Sequence, residues 1–202
     1  QAVIDQVWLK CTDDEGPFGD SFFGATPAPE NRHPLPDLSA VNCTPQMGLP
    51  GPSYERLPHF RMDFTPSSGE ELQSEFLIPR QHAVSAIMEI AAMRDRIAPL
   101  LHVSEIRTMA ADDLWLSSSY GHSAVGIHFT WLPDWDGVSA LLPEIESRLA
   151  TYGARAHWGK LFLATDRLSE IYERLPDFRR LAEAYDPEGK FRNEFLKRTV
   201  FA

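Results

Sequence analysis

Nine of the chain's 16 prolines fall between Pro17 and Pro58, with glycines at 16, 19, 24, 48 and 51. Proline fixes φ and removes a backbone donor, so neither a helix nor a central strand can persist through such a stretch. Regular structure is therefore expected mainly after it, with a strand-like alternation of Val3, Asp5, Val7 and Leu9 against Ile4, Gln6, Trp8 and Lys10 before it. Phe18, Phe22, Phe23, Leu35, Leu38, Met47, Leu49 and Tyr54 make residues 12–58 too apolar for a solvated tether. A long ordered loop wrapped over a domain is preferred to a flexible linker, and loops of that length serve a site or cover a partner surface.

Beyond a turn at Pro66-Ser67-Ser68-Gly69 the patterns are regular. Leu72 to Ile78 reads as a strand with Leu72, Ser74, Phe76 and Ile78 on one side. Val84, Ile87, Met88 and Ala91 recur at three and four, which predicts an amphipathic helix from Arg80 to Ala98 that ends before Pro99. Leu100 to Arg107 reads as a second strand, and Ser123 to Leu132 as the clearest one, with Val125, Ile127, Phe129 and Trp131 alternating with Ala124, Gly126, His128 and Thr130. A helix is expected from about Trp135 to Ala150, closed by Gly153, and a strand from Ala156 to Leu163 with Trp158, Lys160 and Phe162 on one face. Two short helical patterns and a turn at residues 186–193 complete the chain. The order predicts an α+β fold, an antiparallel sheet with helices packed on one face.

Charge and composition narrow the function. The net charge of −10 argues against a nucleic-acid surface and against an anionic membrane, both of which want clustered cations; solubility is the simpler reading. No apolar run approaches the roughly 20 residues of a membrane helix and no signal sequence opens the chain, so a cytoplasmic location is expected. Cys11 and Cys43 have no metal-like spacing; a disulfide is open to them, although such pairs are more often reduced. Asn42-Cys43-Thr44 matches a glycosylation acceptor, read as accidental without a signal sequence. The histidines show no ligand spacing, and no glycine-rich phosphate loop occurs, so neither a metal site nor a nucleotide loop is expected. The chain starts at Gln1 in strand-like sequence, as a piece of a longer protein would.

Three strands carry polar groups in apolar surroundings. Period-two geometry puts Glu105 and Arg107 on one face with Leu101 and Val103, where charges are costly unless they pair or line a cavity. His128 and Thr130 share a face of the next strand, and Lys160 stands between two aromatics. A cation to stabilise a developing alkoxide, a proton acceptor and orienting hydrogen-bonders are what activation of a hydroxyl requires. Each also has a plain reading: a solvated strand pair, a hydrogen-bonded structural histidine, an exposed lysine or a cation-π contact. From the residues alone the sheet is polar-faced and its purpose stays open.

The blocks His59-Phe60-Arg61-Met62-Asp63-Phe64-Thr65-Pro66-Ser67-Ser68-Gly69, Glu75-Phe76-Leu77-Ile78-Pro79-Arg80, Ser104-Glu105-Ile106-Arg107-Thr108, Ala111-Asp112-Asp113-Leu114-Trp115-Leu116-Ser117, His128-Phe129-Thr130-Trp131 and His157-Trp158-Gly159-Lys160 occur together. Jointly they resemble the substrate-binding part of the alditol (xylitol) oxidases, in the sugar-lactone oxidase branch of the vanillyl-alcohol oxidase flavoprotein family. The ending at residues 186–193 is similar as well. The resemblance implies a cap domain, residues 1–176, roofing a flavin, and a segment, 177–202, docked on an N-terminal FAD domain that lies outside this sequence. It implies that Arg107 and Lys160 hold the hydroxyl being oxidised, that Glu105, His128 and Thr130 fix the other hydroxyls of a polyol, and that oxygen reoxidises the flavin to give hydrogen peroxide. A sugar-1,4-lactone oxidase and a non-catalytic carbohydrate-binding domain are the rival readings.

Overall fold

The computed structural model describes residues 4–15, 22–35, 38–56, 61, 63–64 and 70–201. Val3, Phe18 and the turn expected at 66–69 lie outside them, as do His59, Phe60, Met62 and Thr65 of the first resemblance block. The chain divides into two compact units, Gln1–Gly69 and Glu70–Ala202.

The second unit is built on four antiparallel strands, β1 (Leu72–Pro79), β2 (Leu101–Met109), β3 (Ala124–Trp131) and β4 (Arg155–Ala156), in the order β2-β3-β1-β4. The expected α+β architecture is found. β-Branched and aromatic side chains alternate in β1 and β3, and one alternate set, Phe76 and Ile78 with Ile127, Phe129 and Trp131, forms a dry layer beneath the helices. The two aromatic rings of β3, Phe129 and Trp131, stack with centroids 4.8 Å apart. Ser74 lies in the same layer and is satisfied there, because Trp131 Nε1 donates to its hydroxyl at 2.8 Å.

Helix α3 (Trp135–Ala150) falls where its apolar stripe predicts, burying Val138, Leu141, Leu142, Ile145 and Leu149. Asp134 caps its N-terminus by accepting from the Gly137 N–H at 3.0 Å. The helix expected over 80–98 is broken instead. A 3₁₀ turn at Arg80–His82 leads into α1 (Ala83–Ala92), and α2 (Arg94–Ile97) follows after Met93, which turns into the core. Three short helices end the chain: α4 (Leu168–Ile171), α5 (Leu175–Tyr185) and α6 (Glu194–Thr199). Leu168, Tyr172, Leu175 and Val200 pack there into a second cluster against Trp158, Phe162 and Leu196. The turn expected at 186–193 is present, with the Asp186 carboxylate accepting from the N–H groups of Lys190 and Phe191 and with Gly189 at φ +67°.

The strand expected over 156–163 is the main correction in this unit. Pairing with β1 stops after Ala156, and residues 157–160 turn before Leu161 rejoins β1 through one bond, its N–H donating to Gln73 O at 2.8 Å. The turn is closed by the Lys160 N–H on His157 O at 3.1 Å and by the Gly159 N–H on His157 Nδ1 at 3.1 Å. Trp158 and Phe162 thereby pack in the second cluster, while Lys160 points elsewhere.

In the first unit the described residues of the proline-rich stretch are irregular, as its composition predicts, with 3₁₀ turns at Ala40–Asn42 and Ser53–Glu55. Local polar ties give it shape: Arg32 and Gln46 exchange two hydrogen bonds of 2.8 Å, and Lys10 Nζ donates to Ser53 O at 2.6 Å. No strand forms in residues 4–11. Phe23, Leu38, Met47, Leu49 and Tyr54 are exposed, whereas Cys43 is buried; both cysteines are free thiols. No helix among the described residues is long and apolar enough to cross a membrane.

Candidate functional site

The face of the sheet opposite the helices carries the polar groups, and the strand register explains how they meet. Cross-strand partners share a face about 5 Å apart. Glu105 pairs with His128, and His128 pairs with Glu75, so three strands contribute one row of side chains. The flanking rows are Val103, Thr130 and Gln73 on one side and Arg107, Gly126 and Leu77 on the other.

Glu75, buried at 4 % exposure, is the hub. Its Oε1 accepts from Arg107 Nη1 at 3.1 Å, and its Oε2 lies 3.3 Å from Lys160 Nζ and 3.4 Å from His128 Nδ1. Burial alone would push this carboxyl up, but the hydrogen bond from His128 and the charges of Arg107 and Lys160 outweigh it and hold the group at about 2. It is therefore an anion at neutral pH. Arg107 reaches it across Gly126, where a Cβ would stand 2.9 Å from Glu75 Oε1 and 3.1 Å from Met109 Cε. The absence of a side chain is what opens that path.

All five side chains singled out from the sequence converge here. Arg107 also pairs with Glu105, as the strand reading anticipated. Lys160 Nζ lies 3.2 Å from Gln73 Oε1 and 3.4 Å from His128 Nδ1, and His128 Nε2 lies 3.0 Å from Thr130 Oγ1. Lys160 arrives on the 157–160 turn and stacks on none of the aromatic rings among the described residues; the cation-π reading gives way to an ion-pair network. Its segment is fixed on both flanks. The His157 N–H donates to Glu75 O at 2.9 Å, and Trp158 Nε1 donates to Leu116 O at 2.9 Å. Farther on, Glu146 of α3 accepts from the N–H groups of Leu163 and Ala164 at 2.7 and 2.9 Å.

Sequence reasoning missed Glu75, Gln73 and Gly126. The signal was present, since Gln73 and Glu75 alternate with Ser74, Phe76 and Ile78 as His128 and Thr130 alternate with Phe129 and Trp131. The Asp112 block proves structural: its carboxylate accepts from the Leu114 N–H and the Ser117 hydroxyl, and Arg155 donates to the Tyr120 and Ser117 carbonyls of the same loop.

The site thus has two cations held by one buried carboxylate, with a second carboxylate, an imidazole and a hydroxyl around them. Glu105 and Arg107 are its exposed parts, at 38 % and 42 %. Such an array can bind a molecule rich in hydroxyls and stabilise an alkoxide on it.

Comparison with known proteins gives a concordant result. The profile of the D-arabinono-1,4-lactone oxidase family matches residues 66–199. An alditol oxidase from Streptomyces sp. (strain IKD472 / FERM P-14339) is 49% identical over 194 residues, 95% of this chain and 46% of the relative. An L-gulono-1,4-lactone dehydrogenase from Mycobacterium tuberculosis is 28% identical over 140 residues, 63% of this chain and 30% of its own length. An L-gulonolactone oxidase from Scyliorhinus torazame is 31% identical over 104 residues, 48% of this chain and 23% of that protein. The chain spans under half the length of these curated relatives.

Proposed function

Because the chain belongs to the D-arabinono-1,4-lactone oxidase family, we propose that it is the substrate-binding portion of an FAD-dependent alditol oxidase that oxidises a primary alcohol of a xylitol- or sorbitol-like polyol. The observation that carries the reading is the Glu75 hub, which holds Arg107 on one carboxylate oxygen and Lys160 on the other. Arg107 and Lys160 hold the reacting hydroxyl and stabilise the alkoxide as its proton leaves. Glu105, His128 and Thr130 orient the neighbouring hydroxyls, and the proximity of so many polar contacts favours a chain of hydroxyls over a single one.

The site side chains fit a flavin partner in a specific sense. Glu, Gln, His, Thr, Lys and Arg are not redox-active, so electrons leaving a carbon would need an acceptor outside these residues. A bound flavin would supply that acceptor, with oxygen as the final oxidant and hydrogen peroxide as its product. The N-terminal FAD domain of the longer protein would supply the flavin's own binding residues, with the segment 177–202 docked on it. This fragment alone is then expected to be inactive.

The family description and the two lactone-acting relatives favour a second reading, a sugar-1,4-lactone oxidase. The 49% identity to an alditol oxidase supports the first. Peroxide release by the full-length protein is the test: turnover of polyols with little on lactones is expected, and lactone turnover without polyol turnover would reject the assignment. Calorimetry on the fragment addresses a non-catalytic carbohydrate-binding role, which predicts tight sugar binding without flavin, where weak binding is expected here.

A further inference from the structure

His128 sets its two ring nitrogens against different neighbours, Nδ1 3.4 Å from the Glu75 carboxylate and Nε2 3.0 Å from the Thr130 hydroxyl. Lys160 Nζ is also 3.4 Å from Nδ1, so two proton arrangements compete. With Nδ1 bare and accepting from Lys160, a lone pair faces an anionic oxygen inside a site where Glu75 is 4 % exposed, and the carboxylate loses a donor. With the proton on Nδ1, the ring donates to Glu75. Lys160 loses little by this, because Glu75 Oε2 at 3.3 Å and Gln73 Oε1 at 3.2 Å take two of its protons and the third is left for a ligand. A ring protonated on both nitrogens would add another cation beside Lys160 and Arg107.

The proton on Nδ1 leaves Nε2 as an acceptor only. The Thr130 hydroxyl has one proton, and at 3.0 Å it is spent on Nε2. Thr130 is only partly buried, and its oxygen then offers the pocket nothing but lone pairs.

We infer that Glu75 is a specificity-determining positioning residue, which through His128 fixes Thr130 as a hydrogen-bond acceptor and so selects a substrate hydroxyl at that position over a carbonyl or ring oxygen. The inference rests on the polyol-oxidase reading and deepens it, because a polyol offers a donor at every carbon and a lactone's carbonyl offers none.

Two measurements test it. In the full-length protein with isotope-labelled histidine, the nitrogen spectrum of His128, identified by the signals lost in His128→Gln, is expected to show a protonated Nδ1 and a bare Nε2 at neutral pH; a protonated Nε2 overturns the inference. The second uses polyol analogues in which each non-reacting hydroxyl is replaced in turn by hydrogen or by fluorine, which accepts but cannot donate. At the position whose deoxy penalty disappears in Thr130→Val, both analogues are expected to lose roughly tenfold in kcat/KM. Recovery of that loss by fluorine overturns the inference. Failure of the protein to oxidise any polyol would remove the proposed function instead, and the spectrum decides the tautomer in either case.

Discussion

The same strands present two buried faces that solve burial by different physics. On the helix side, β1 and β3 meet α1 and α3 through Phe76, Ile78, Ile127, Phe129 and Trp131, and the one polar pair there, Ser74 with Trp131, is closed on itself. On the other side Glu75 and His128 are equally buried, yet Glu75 depends on cations that remain partly open to solvent. Apolar packing is tolerant in detail and additive in area. A charged network is all-or-none, because removing one member strands the rest. The first face therefore holds the fold, and the second is the one on which the proposed function rests.

The sharpest way to break the comparison is Arg107→Met or Lys160→Met in the full-length protein. Turnover is expected to fall on the order of a hundredfold or more while circular dichroism stays near wild type; the unfolding midpoint drops as Glu75 loses a partner, by too little to account for the lost turnover. Near-normal turnover would place the chemistry elsewhere. On the helix face Leu142→Ala should show the opposite signature, a loss of about 3 kcal/mol in denaturant unfolding with KM unchanged for the protein that remains folded.

Acid should separate the faces as well. The Glu75 carboxyl sits at about 2, below its ordinary 4.5, so its contribution is fully present above pH 4.5 and is lost as pH falls through 2. That loss amounts to at most about 3 kcal/mol. Unfolding measured across this window should be steeper in wild type than in Glu75→Gln, and equal slopes would mean that the network adds no stability. Gly126→Ala is the gentler probe. Its Cβ displaces Glu75 Oε1 from 2.9 Å, which should cost about 1 kcal/mol and loosen Arg107, read as a rise in KM larger than the shift in stability.

What the sequence disclosed follows the strength of its periodicities. The α3 stripe and the β3 alternation were legible because each repeats its apolar residues over several turns or pairs. Glu105, Arg107, His128 and Thr130 were placed on the right face by period-two geometry alone. The same alternation sets Gln73 and Glu75 apart from Ser74, Phe76 and Ile78, but only the register brings Glu75 opposite His128, and register is a tertiary fact. The 156–163 misreading has a similar cause. Trp158, Lys160 and Phe162 at every second position imitate a strand, but the 157–160 turn, closed by the Lys160 N–H on His157 O and the Gly159 N–H on His157 Nδ1, sends the aromatics one way and the lysine the other.

That turn is gripped twice by the same two residues. Gln73 and Glu75 accept from the Leu161 and His157 main-chain N–H groups with their carbonyls, and from the Lys160 ammonium with their side chains. Residues 73–75 and 157–161 consequently behave as a single cassette. An insertion or deletion in this surface turn would drag the Lys160 ammonium out of register with Gln73 and Glu75, so the usual tolerance of loops to length change is withdrawn here. Anyone transplanting this pocket to another scaffold would have to move both segments together.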